Sequence, residues 1–118
     1  MARIYLAGPM SNVPEFNYPA FNAEAARLRS LGHEVENPAE NTPPPCGTWA
    51  GYMRQAIRRM LTCDYVATLP GYRDSRGARI ETELAARLSI PVMPASDFIG
   101  PIGSVIYRGA SDDALALR

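Results

Sequence analysis

With 118 residues the chain has the length of one domain, which buries roughly two-thirds of the surface its unfolded form exposes and so can build one core with one crevice. Apolar residues at 47% and charged residues at 20% are the proportions of a folded globular domain and exclude disorder as the starting assumption. Twelve acidic residues balance twelve basic ones, a neutrality that argues against a broad nucleic-acid or membrane footprint.

The types of residue narrow the chemistry further. Every basic residue is arginine, so no lysine is present to form a Schiff base or act as a nucleophile. Cys46 and Cys63 fit no metal-ligand spacing and His33 is the single histidine, which argues against a zinc site and a histidine-based triad. No metal and no cofactor are expected. The first residues contain too short an apolar run for a signal peptide, and no stretch of about 18 apolar residues occurs, so a soluble cytoplasmic protein with reduced thiols is expected.

In chain order, Arg3 to Ala7 reads as a short central strand ended by Gly8-Pro9. Met10 to Tyr18, with Pro14 and two asparagines, reads as a loop over the carboxyl end of that strand. Pro19 suits the first turn of a helix whose apolar stripe is Phe21, Ala25, Leu28 and Leu31, with Gly32 as its stop. His33 to Asn37 carries a second strand around Val35. Asn37 to Gly47 is a proline-rich loop of about eleven residues, a length at which a loop in a compact domain serves as a rim or lid, or else as a surface spacer.

Thr48 is placed to cap a helix from Trp49 to about Leu61, with Trp49, Met53, Ile57, Met60 and Leu61 expected on its buried side and Arg54, Arg58 and Arg59 in solvent. Tyr65 to Leu69 is a third strand, closed by Pro70-Gly71. A helix from about Gly77 to Leu88 follows, then a fourth strand, Ile90 to Met93, which Pro91 assigns to a position near an edge. Asp97 to Ile106 is expected to hold a short helix or strand and Ala110 to Arg118 a small helix or frayed tail. This alternation predicts a single domain over 1–118 with a three-layer α/β/α, Rossmann-like (flavodoxin-like) fold and a parallel sheet of about four to five strands. The loops after the first three strands leave the same sheet edge, where ligands bind in open α/β sheets.

The stretch Leu69 to Ala85 concentrates candidate chemistry at that edge. A helix that opens at a glycine-bearing polar turn offers unpaired N–H groups and a positive dipole end to an anion. Ser75, Gly77 and the arginines Arg73, Arg76 and Arg79 can hold a phosphate or carboxylate there, or can form a solvated turn. Glu81, about one turn into the helix, is the candidate nucleophile; taken alone it is also an ordinary acidic residue favoured by the dipole. Glu83 points to another face. Tyr5 is a core or pocket residue. Neither Gly8-Pro9 nor Gly71 to Gly77 fits a dinucleotide or P-loop fingerprint.

Ile4-Tyr5-Leu6-Ala7-Gly8-Pro9-Met10, the helix and strand from Phe21 to Val35, Asn37-Pro38, Cys63-Asp64, and Ser75-Arg76-Gly77 followed by Glu81 and Ala85 resemble the nucleoside 2-deoxyribosyltransferase superfamily, in particular a small phage and prophage-type branch. The similarity spans about residues 3 to 93, and the Ser75, Gly77, Glu81, Ala85 spacing is its most specific part. It implies that Glu81 attacks the anomeric carbon of a deoxynucleoside or its 5′-monophosphate and expels the base, with water or a second base resolving the glycosyl-enzyme. It also implies that Tyr5 positions the nucleophile and that Gly8, Met10, Asn37, Ser75 and Gly77 bind substrate, with Ser75 at the 5′-phosphate. A homo-oligomer is implied, with Ser96, Ser104, Asp112 and Asp113 as candidates for completing a neighbour's site.

One position departs from the pattern. Where many members carry an aspartate to protonate the leaving base, eight residues before Asp64, this chain has Ala56. Asp74, Asp64 or a carboxylate of another subunit is then needed as a substitute. The alternative is a catalytically weak or inactive nucleotide-binding protein.

Overall fold

A computed structural model describes residues 2–100. Four strands, β1 (Arg3–Ala7), β2 (Glu34–Glu36), β3 (Tyr65–Thr68) and β4 (Val92–Pro94), form one parallel sheet in the order β2-β1-β3-β4. Helices α1 (Tyr18–Ser30), α2 (Trp49–Met60) and α3 (Arg76–Arg87) make the crossovers. This is the expected α/β fold. Because β2 and β3 flank β1 on opposite sides, the crossover changes direction at β1, and the crevice of such a sheet opens beside it.

Alternation along β1 divides the core into two layers. Ile4 and Leu6 pack with Phe21, Ala25 and Leu28 of α1, whereas Tyr5 and Ala7 pack with Ala56 and Met60 of α2 and Ala78 and Ala85 of α3. A parallel strand covered on both faces must be apolar throughout, and residues 4 to 7 are all at most 1% exposed. Gly32, at φ +97°, turns the chain out of α1 in a backbone conformation that suits glycine.

The helix ends follow local chemistry. The Thr48 hydroxyl accepts from the Gly51 N–H at 3.0 Å, capping α2, and the Ser75 hydroxyl accepts from the Ala78 N–H at 3.2 Å, capping α3. Two expectations need correction. Trp49 and Leu61 are 40% and 49% exposed, because the buried stripe of α2 runs through Met53, Ala56 and Met60 and turns Trp49 outward, while Leu61 lies beyond the last turn. The fourth strand starts at Val92, since the Ile90 N–H still closes the end of α3 on the Ala85 carbonyl.

Beyond β4 the chain folds back over the α1 layer. Arg27 donates to the carbonyls of Ala95 and Phe98 at 2.6 and 2.7 Å, and Phe98, fully buried, meets the rings of His33 and Tyr65 edge-on. A 3-10 turn, Ala95–Asp97, follows β4, and most of the segment from Asp97 to Ile106, expected to hold a short helix or strand, lies outside the described residues. The expected C-terminal helix, Ser104, Asp112 and Asp113 lie outside the described residues. Among the described residues no helix is long and apolar enough to cross a membrane.

Candidate active site

The loops leaving β1 and β3, with α2 and the start of α3, enclose a cavity of about 560 Å³ at the carboxyl edge of the sheet. Gly8 makes its floor possible, because a Cβ there would lie 2.8 Å from the Leu69 Cβ. Close passage of the first loop across the end of β3 therefore requires glycine. Gly77 is a second close contact: a Cβ would meet the Met53 sulfur at 3.0 Å, which lets α3 approach α2.

Glu81 projects into this cavity from the second turn of α3, not the first, because the helix begins at Arg76. It is only 6% exposed, and the Tyr5 hydroxyl donates to its Oε2 at 2.5 Å. Burial pushes the carboxyl up to about 7, opposed by the Tyr5 hydrogen bond, which favours the ionised form. The Tyr5 phenol is driven well above its ordinary range, first by burial and then by the adjacent carboxylate, so it remains a donor. Strand β1 and helix α3 thus bring together two residues 76 positions apart.

Of the other candidates, Gly8, Met10, Ser75 and Gly77 line the same cavity. Asn37 does not. It is 2% exposed, its Oδ1 caps the turn Pro38–Glu40 by accepting from Ala39, and its Nδ2 donates to Asn22. Its place is behind the wall, holding Pro38, the one residue of the proline-rich loop that reaches the cavity lining. Other parts of that loop lie against α2, where Gln55 donates to the Thr42 carbonyl.

The possible substitute acids separate clearly. Asp64 accepts from the Arg3 N–H at the entrance of β3, at the amino edge of the sheet and away from the cavity. Asp74 lines the cavity beside Ser75 and, among the described lining residues, is the only carboxylate other than Glu81. Ala56 is fully buried against the sheet and is not part of the lining. Of the three nearby arginines only Arg76 lines the cavity; its guanidinium lies 4.1 Å from the centre of the Trp49 ring. Glu83 faces solvent and pairs with Arg87. Ser96 borders a separate cavity of about 440 Å³.

Sequence reasoning missed the contribution of α2. Trp49, Tyr52 and Met53 all line the cavity. The aromatic pair at i and i+3 directly after a loop at the functional edge was a usable signal, but the apolar stripe placed Trp49 in the core.

A cleft with one buried carboxylate lies at the carboxyl edge of a parallel sheet, the edge at which open α/β folds in general hold their ligands. Residues 2–94 match the family model described as a domain of unknown function, DUF4406, and the chain belongs to that family. Among solved structures it is similar to a 2-deoxyribosyltransferase from the psychrotolerant bacterium Bacillus psychrosaccharolyticus, at 24% identity and a TM-score of 0.62, covering 96% of this chain and 90% of that one. At that identity the likeness establishes the fold. No curated protein matches the chain.

Proposed function

We propose that the protein cleaves or exchanges the N-glycosidic bond of a deoxynucleoside or its 5′-monophosphate through a glycosyl intermediate on Glu81. The observation that carries this reading is the buried Glu81 carboxylate held by the Tyr5 hydroxyl inside a cavity large enough for a nucleoside. An Oε2 occupied by Tyr5 leaves Oε1 to attack the anomeric carbon. Ser75 keeps its own hydroxyl proton after accepting from Ala78, so it can donate to an anionic 5′ group at the start of α3. The similar solved structure is that of a 2-deoxyribosyltransferase, which agrees with the reading. A phage-type branch, a homo-oligomer and a cytoplasmic location belong to the same proposal.

Incubation with a panel of nucleosides and monophosphates, with and without an acceptor base, tests it by chromatography. Base release or exchange is expected for the native protein and its loss, by at least about 10³-fold, for Glu81→Ala. No release above that of the variant sinks the reading. Ala56 favours one alternative, a protein that binds nucleotides without turning them over. Calorimetric binding of a nucleotide recovered intact selects that alternative.

A further inference from the structure

Departure of a nucleobase leaves an electron pair on its ring nitrogen, and that charge needs a fixed donor. Ala56 offers none and lies outside the lining. The carboxylate Asp74 adjoins Ser75 at the start of α3, the end assigned above to the sugar 5′ group. A donor on a wall away from that end is better placed for the base.

Helix α2 supplies one. Tyr52 lines the cavity, is half-buried, and its hydroxyl donates to the Met10 sulfur at 3.0 Å. A thioether is a weak acceptor, so this proton can be redirected to a stronger one at little cost. Burial, with the field of the Glu81 carboxylate next, pushes the phenol up and keeps it protonated. Tyr52 and the proposed nucleophile Glu81 line the same cavity. Met10 and Tyr52 thus form a wall contributed by the first loop and α2, separate in the chain from the Asp74 to Gly77 segment.

We propose that Tyr52 is the hydrogen-bond donor to the departing base, releasing Met10 to do so. This rests on the glycosyl-transfer reading above. In the step, the bond from a Glu81 oxygen to the anomeric carbon forms as the carbon–nitrogen bond breaks. The electron pair goes to the base nitrogen, which Tyr52 stabilises without giving up its proton, and the freed base takes a proton from water.

The test compares native protein with Tyr52→Phe, which keeps the ring, on nucleosides whose bases span a range of acidity, alongside calorimetric titration with the free bases. The variant is expected to slow release of the least acidic bases by about 10²-fold, to leave the most acidic nearly unaffected, and to bind free bases several-fold more weakly. An equal effect on every substrate, or none, overturns the donor role while leaving the proposed reaction standing. If the native protein binds bases but releases none, the reaction fails. Weaker base binding by Tyr52→Phe then still supports the donor contact, and unchanged binding overturns it. A native protein that neither binds nor cleaves overturns both.

Discussion

A carboxyl group that is 6% exposed and titrates near 7 is divided between its two forms at neutral pH, and only the ionised form is a nucleophile. Activity is therefore expected to rise with pH through about 7, as read from the acid limb of a kcat/KM profile, which reports the free protein. Tyr5→Phe removes the hydrogen bond that favours ionisation, so the limb should move to higher pH and activity at pH 7 should fall. Stability carries the same shift with a definite sign. The folded value lies above the ordinary 4.5, so the folded state binds the proton more tightly, and the stability this contributes is lost as pH rises from 4.5 through about 7. Against Glu81→Gln, whose side chain does not titrate, the native protein should become relatively less stable over that range, which thermal denaturation at several pH values measures.

At the scale of elements, α2 shows how a helix can serve core and cavity together. Ala56 and Met60 face the sheet, while Trp49, Tyr52 and Met53 reach the cavity lining. An acid at position 56 would therefore enter the core beside Tyr5, Met60 and Val66, not the cavity. Ala56→Asp should destabilise the fold by several kcal/mol without raising base release, since an unpaired buried carboxylate is costly. A denaturant titration with an activity assay checks both; a stable, more active variant would restore position 56 as the place for a leaving-group acid. The loop before α1 shows a different strain. Glu15 and Phe16 adopt φ of 56° and 53°, and Phe16 is 60% exposed, although both residues disfavour the left-handed region.

Across the whole molecule, the back layer is locked by residues distant in sequence from its helix. Phe98 is fully buried between His33 and Tyr65, and Arg27 of α1 holds the carbonyls on either side of the turn that leads to it. Phe98→Ala should cost about 3–5 kcal/mol, read as a lower denaturation midpoint. The Glu81–Tyr5 contact lies in the opposite layer, so the variant's remaining folded fraction should keep the native pH profile.

The chain alone determined the alternation of strands and helices, because parallel strands demand apolar runs and their crossover helices demand stripes at helical spacing. It also determined the Thr48 cap and the edge at which Glu81, Ser75 and Gly77 collect, since local hydrogen bonding and connection order decide these. What it left open depends on rotation and distance between elements. The stripe of α2 did not reveal that Trp49 turns outward, nor did Asn37 in its motif reveal that both ends of its amide are bonded within the wall. Only the packed sheet decided that Tyr5 meets Glu81 across 76 positions, and that Tyr52, rather than residue 56, shares their cavity. A helix's periodicity defines its buried stripe, but the neighbours it packs against decide which part of that stripe borders an open space.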